Sequence, residues 1–303
     1  MSEGNRARAP HPHSRFGADW LALRERADAD ARARELTGLA GAWLARCAHR
    51  PLVCVDLGAG GGSNPRFLAP RLPGPQAWLL LDHDRDLLER ATRDCAMLCD
   101  AAGDPVALRV ECRDLSVPAP ADFAGVDLVC ASALIDLAGA TWLDGLALAC
   151  ARSGAAALFS LSVDGEWHFR RAGVADVDAD DTLARAAFNA HQRRDKGVGG
   201  ALGPDAPAYL AQQLRRRACR VRMAPSPWQL AMNRPRDAAL AAALLDGWLA
   251  AALEQEPARA ARLRSWHARR SAALCDPAFA LTVGHLDLFA CPARGAPTSA
   301  AGT

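Results

Sequence analysis

The 303-residue sequence contains one lysine, Lys196, among 36 basic residues, so arginine carries nearly all of the positive charge. With the abundant alanine, this bias points to a GC-rich coding background in which a single Arg or Ala carries little information. A net charge of +2 is too small to attract nucleic acid by bulk electrostatics. No apolar run of membrane-spanning length lacks a charge or a turn-former. The richest candidate, AALAAALLDGWLAAALE from Ala238, is interrupted by Asp246 and Gly247. The opening MSEGNRARAPHPHSRFG has no apolar core behind its basic residues, which argues against export. No Cys-x-x-Cys pair occurs among the ten cysteines and no His/Cys cluster has zinc spacing, so no metal is expected. Most of the cysteines sit inside apolar runs, where a thiol acts as a small hydrophobe, and a chain of this length needs no disulfides. The expectation is a reduced, cytoplasmic bacterial protein, monomeric or homodimeric, with neither nucleic acid nor membrane as partner.

Residues 1–17 read as a disordered leader and 293–303 as a frayed tail. Between them, DWLALRERADADARARELTGLAGAWLARCA has helical spacing, with Asp19 as candidate cap. Short apolar runs then alternate with helical stretches: LVCVDLG, AWLLLD, VALRVEC, GVDLVCAS and AAALFSLSV are the strands. Strands that are apolar throughout, alternating with helices, imply a parallel sheet covered on both faces. The N-terminal helix and this core span 18–162. Residues 163–212 break the pattern with a polar segment, acidic and then basic and ending in glycines, which reads as a lid or substrate insertion. Residues 213–292 return to the core with CRVRMAPSPWQLA, two Ala-rich helices and the terminal strand ALTVGHLDLFACP.

The chemistry concentrates in VDLGAGGGSNP. Asp56 closes the first strand, and four of the next residues at 58–62 are glycine, which lets bare backbone turn sharply and approach a ligand. A dinucleotide fingerprint, G-x-G-x-x-G, would need glycine where Ser63 stands, and Asp56 would repel a pyrophosphate. A phosphate-free cation suits the loop better, and S-adenosylmethionine carries an ammonium and a sulfonium. Asp82, closing AWLLLD beside His83, is placed to accept both ribose hydroxyls. Asp114, after the third strand, can accept the adenine amino proton while Leu115 covers the ring. Ala131 and Ser132 end the fourth strand beneath the expected methyl.

VDLGAGGG with these strand-end acids resembles the class I, Rossmann-like S-adenosylmethionine-dependent methyltransferases over residues 50–162. The resemblance implies a doubly wound seven-stranded, mostly parallel sheet whose last strand is antiparallel, and methyl transfer by in-line displacement. It also implies that Gly58, Ala59, Gly60 and Gly62 line the methionine moiety, Asp82 the ribose and Asp114 the adenine, with S-adenosyl-L-methionine as cofactor.

For the acceptor, ASALIDL stands where DNA amino-methyltransferases of that family carry [DN]PP[YF], and no Pro-Cys nucleophile appears there. A small-molecule acceptor is therefore expected, anionic if Arg193, Arg194 and Lys196 face it. Asp136, His191 and Lys196 are the candidate catalytic groups, and Arg194, Asp195 and Trp228 the candidate acceptor contacts. An NAD(P)-dependent oxidoreductase of the same fold and a non-catalytic S-adenosylmethionine-binding protein are the competing readings.

Overall fold

The computed structural model describes residues 17–47, 49–116, 123–194 and 200–293. The leader up to residue 16, the tail from residue 294, and the candidates Asp195 and Lys196 lie outside the described residues.

Two helices, α1 (Ala18–Ala31) and α2 (Arg34–Leu44), precede the sheet and are separated by an elbow at Arg32 and Ala33. The sheet's parallel part comprises β1 (Leu52–Leu57), β2 (Gln76–Asp82), β3 (Ala107–Cys112), β4 (Leu128–Ser132) and the first half of β5 (Ala156–Arg171). Helices α3 (Ser63–Leu68), α4 (Arg85–Asp94) and α5 (Ala140–Ser153) connect these strands. After β5 come β6 (Val174–Ala175), α6 (Asp181–Gln192), α7 (Ala206–Arg216), β7 (Cys219–Pro225), β8 (Trp228–Ala231), α8 (Pro235–Gln255), α9 (Ala260–Ala273) and β9 (Phe279–Pro292).

The strand order is β3-β2-β1-β4-β5-β9-β7, and β9 runs antiparallel to both β5 and β7. A mostly parallel, doubly wound sheet with an antiparallel last strand is the expected architecture. Two short strands add to it, β6 on β5 and β8 on β9. Apolar side chains from alternate positions bury both faces: Val55, Leu57, Val129 and Phe159 meet α5 and α7, while Cys54, Leu80, Leu128 and Leu158 meet α2, α3 and α4.

The chain departs from the sequence reading beyond residue 162. Strand β5 does not stop there but continues to Arg171 beside β9, with register shifts between Phe159 and Ser162 and between Val163 and Trp167. Leu161 takes a left-handed φ of 57° at the first shift, and its N–H finds Asp287 Oδ1 at 2.8 Å. The extended β5–β9 pair carries Trp167, Phe169, Phe279 and Leu281 into a third core with β8, α6, α8 and α9. CRVRMAPSPWQLA likewise forms two strands, β7 and β8, which keep one register along β9; between them the Ser226 N–H still donates to His285 O at 2.8 Å, and Pro227 has no N–H to give. Packing thus joins 163–192 to 228–283 in one extension, and returns α7 and β7 to the main sheet.

The acidic run before α6 belongs to that extension. Asp178 and Asp180 pair with Arg269, and Asp176 and Asp181 with the buried Arg270, whose guanidinium lies 4.1 Å from the Phe169 ring centroid. The Arg269 hydrogen bonds hold the Asp178 carboxyl down at about 2.

Candidate functional site

The glycine loop leaves β1 through three left-handed residues, Gly58, Gly60 and Gly62, with φ of 62°, 51° and 77°. Other residues adopt that region at a cost. Two contacts tie the loop to β2. The Ala59 N–H donates to Leu81 O at 3.0 Å, and the Gly60 N–H donates to Asp82 Oδ2 at 2.8 Å. The other Asp82 oxygen accepts the Asp84 N–H at 2.9 Å, and His83 Nδ1 stands 3.3 Å from it. Asp84 in turn caps α4 by accepting from Asp86 and Leu87 N–H groups.

A cavity of about 410 Å³ opens at the carboxyl ends of β1, β2 and β4, where a doubly wound sheet binds its ligands. The loop supplies one wall through Gly58, Ala59, Gly60 and Gly61, followed by Ser63 and Asn64. Asp82, His83 and Asp84 line it from β2, and Asp114, Leu115 and Ser116 from the end of β3. Ser132, Ala133 and Leu134 follow β4, with Leu137, Ala138 and Trp142 beyond. The facing wall is α1, through Leu21, Ala22, Arg24, Glu25 and Asp28. Asp114 keeps one oxygen on the Ser116 N–H at 2.9 Å, and Leu115 O accepts the Trp142 indole N–H.

Three residues placed by sequence at the ligand sit behind this wall. Asp56 is fully buried and accepts Asn64 Nδ2 at 2.6 Å, so it orients Asn64 and does not line the cavity. Burial pushes its carboxyl up to about 7. Asn64 Oδ1 accepts Arg32 Nη2 at 2.6 Å, and burial lowers the Arg32 guanidinium despite nearby Asp287, Asp28 and Asp56. Gly62 faces α4: a Cβ there would stand 2.9 Å from Cys95 Sγ and 3.1 Å from Ala91 Cβ. Gly61 takes its place on the cavity wall. Ala131 is buried in the core beneath Ser132.

The candidate acceptor groups are elsewhere. Asp136 sits in the short 3-10 turn after β4 and off the cavity wall, since that turn offers Leu137 to the space instead. His191 Nε2 lies 3.1 Å from Glu254 Oε2, and Arg194 donates to Glu254 O at 3.1 Å, so both bind α8 at the surface. Arg193 is bonded to Asp205 at 2.9 Å. Trp228 is 2 % exposed in the extension core and lies behind the site wall, where Asp28 Oδ1 accepts its indole N–H at 3.0 Å and the Arg24 guanidinium stands 5.2 Å from its ring centroid. No described residue of 163–212 lines the cavity, although the chain returns to its rim where the Leu202 N–H donates to Ala138 O at 2.9 Å.

The sequence reading missed the wall built by α1. Its signal was present as Arg24 and Asp28 four residues apart, but such pairs usually mark a solvated helix face. Among the described residues no group of His, Cys, Asp or Glu is arranged to hold a metal, and no helix is long and apolar enough to cross a membrane. All ten cysteines are free thiols.

No family model matches the chain, and neither does any curated protein. Solved structures with a similar course include an S-adenosylmethionine-dependent methyltransferase from Thiobacillus denitrificans bound to S-adenosyl-L-homocysteine, with 17 % identity, 91 % of this chain and 99 % of that one covered, and TM-score 0.42. A methyltransferase of the same description from Geobacter sulfurreducens has 16 % identity, 90 % and 98 % coverage, and TM-score 0.43. A cyclopropane synthase from Mycobacterium tuberculosis has 13 % identity, 90 % and 94 % coverage, and TM-score 0.44. At these scores the likeness carries no weight about chemistry, which rests on the residues of the site. The strand order, parallel but for β9, is that of a doubly wound, Rossmann-like α/β sheet.

Proposed function

We propose that the chain is an S-adenosylmethionine-dependent methyltransferase acting on a small molecule. The observation that carries this reading is the Asp82 carboxylate. It stands at the cavity edge, anchored by the Gly60 and Asp84 N–H groups, with lone pairs left to accept further donors. A ribose diol offers two such donors. Asp84 and Asp114 add negative charge, while Arg24, Arg66 and Arg90, which also line the cavity, are paired with Asp28, Glu25 and Asp94; that balance suits a cationic, phosphate-free nucleoside better than a pyrophosphate.

The residues present fit that cofactor. A Cβ on Gly58 would come within 3.0 Å of Leu134 Cδ1, so only bare backbone leaves the loop-side space open. Gly58, Ala59, Gly60 and Gly61 would border the methionyl part, Asp82 the ribose, Asp114 the adenine amino group and Leu115 the ring. When bound, the cofactor supplies an electrophilic methyl group.

The protein's own contribution is positioning and exclusion of water. Helix α1 roofs the space opposite the loop, and Leu134, Leu137 and Ala138 give an apolar wall for the acceptor. Arg193 and Arg194 are engaged with Asp205 and Glu254, which removes their support for an anionic one. We assign no general base, because Asp136 and His191 are off the cavity wall.

The test is release of S-adenosylhomocysteine when the protein and S-adenosylmethionine meet fractions of a small-metabolite extract. Release with one fraction supports the reading. Tight binding of S-adenosylmethionine with no release in any fraction would instead mark a non-catalytic binder.

A further inference from the structure

Helix α1 turns two unlike faces to the molecule. Trp20, Leu23 and Ala27 pack against the extension core, while Leu21, Arg24, Glu25 and Asp28 border the cavity. Leu21 lies over the glycine loop, its Cδ1 only 3.3 Å from where a Cβ on Gly60 would stand. One turn on, Glu25 accepts Arg66 Nη2 at 2.6 Å, and Arg66 Nη1 donates to Gly61 O at 2.6 Å. Arg24 and Asp28 form a two-bond pair at 2.9 and 3.2 Å, with both side chains 11 % exposed. Trp228 fixes it from behind, through its bond to Asp28 and the Arg24 guanidinium 5.2 Å from its ring centroid.

An i,i+4 pair on a solvated helix face contributes little, and one withdrawn from water must recover its desolvation. Here two pairs of opposite charge are held at a cavity wall, facing backbone that carries no charge. A ligand group with a single charge would leave one member of a pair poorly matched. A group bearing both charges can enter by exchange of partners, its carboxylate on a guanidinium and its ammonium on a carboxylate, so no buried charge goes uncompensated.

We propose that this face of α1 recognises a zwitterionic aminocarboxylate, with Arg24 taking the carboxylate and Asp28 the ammonium, and that this group is the cofactor's own methionyl end. The inference rests on the cofactor reading above. The contacts of Leu21 with the Gly60 position and of Arg66 with Gly61 favour the cofactor over an amino-acid acceptor, because they set α1 directly on the loop.

Calorimetric titration of the full chain with S-adenosylhomocysteine and with 5′-methylthioadenosine, which lacks the aminocarboxylate, tests it. The wild type is expected to bind S-adenosylhomocysteine at least about tenfold more tightly. In R24Q/D28N the gap should shrink to within about threefold while 5′-methylthioadenosine binds as before, which also reports an intact nucleoside site. A gap that persists in the variant overturns the inference while leaving the cofactor reading standing. A wild type that binds neither ligand sinks the cofactor reading itself. If R24Q/D28N does not fold, Asp28→Asn alone, whose amide oxygen can still accept the Trp228 indole N–H, should narrow the gap at least about twofold, and an unchanged gap there overturns the inference equally. If the variant keeps the gap but loses a binding heat for glycine that the wild-type S-adenosylhomocysteine complex shows, the face serves an amino-acid acceptor and the assignment to the cofactor is overturned.

Discussion

The carboxylate of Asp82, the last residue of β2, accepts the backbone N–H of Gly60 at 2.8 Å, so one strand fixes the loop that leaves its neighbour. Its second oxygen holds the Asp84 N–H and with it the start of α4. Asp82→Ala leaves both N–H groups without this acceptor. It should destabilise the protein by about 1–3 kcal/mol in urea unfolding, and Asp82→Asn by less, since its remaining oxygen still accepts one of them.

Gly61 and Gly62 should behave differently although they are adjacent. Gly62→Ala forces a Cβ to 2.9 Å from Cys95 Sγ at a φ of 77°, and should cost about 1–3 kcal/mol of stability. Gly61 has no left-handed φ, and its Cβ would meet only Arg90 Cδ at 3.9 Å. Gly61→Ala should stay within about 1 kcal/mol of wild type in the same assay.

Arg270 is the neutralising centre of the extension. Its Nε donates to Asp181 Oδ1 at 2.9 Å and its Nη1 to Asp176 Oδ1 at 2.5 Å, beneath the Phe169 ring. Arg270→Ala should cost about 3–5 kcal/mol, because carboxylates are left facing a partly buried site without their partner. Lysine should recover only part of the loss, as it cannot serve two carboxylates in a planar fork.

Much of the sheet and the loop was legible because their signals are local. Fully apolar strands, a glycine run and acids at strand ends need no distant partner to be read. The α1 wall was not, because the burial of Arg24 and Asp28 depends on Trp228, 200 residues from Asp28. Asp56 was misplaced for a related reason: its position at the strand end is sequence-visible, but its partner Asn64 decides which way it points. The extension of β5 did carry a local signal. In EWHFR, Trp167 and Phe169 are buried while Glu166, His168 and Arg170 are exposed, the alternation of a half-buried strand. The acidic run that follows it masked the pattern, since its neutralising arginines come from α9, some 90 residues later.

Two buried groups should give opposing pH dependences. Asp56 is raised from 3.8 to about 7 by burial, so its contribution is full below the unfolded value and is lost as pH rises through about 7. His285 is lowered from 6.5 to about 4, by burial first and by Arg24, so its contribution is present above 6.5 and is lost as pH falls toward 4. Asp56→Asn should therefore gain stability relative to wild type as pH rises from 4 to 7. His285→Gln, measured against wild type, should lose stability as pH rises from 4 to 6.5. Urea unfolding across that range, taken as variant-minus-wild-type differences, reads both signs.

Binding of an adenosyl sulfonium by the loop and the strand-end acids is read by calorimetric titration of S-adenosylmethionine into wild type and Asp82→Asn, with NADH as the comparison ligand. One site per chain for S-adenosylmethionine is expected in the wild type, at least about tenfold weaker binding in Asp82→Asn with its fold retained, and no binding of NADH. Binding of NADH in place of S-adenosylmethionine, or an affinity for S-adenosylmethionine that Asp82→Asn leaves unchanged, would contradict it.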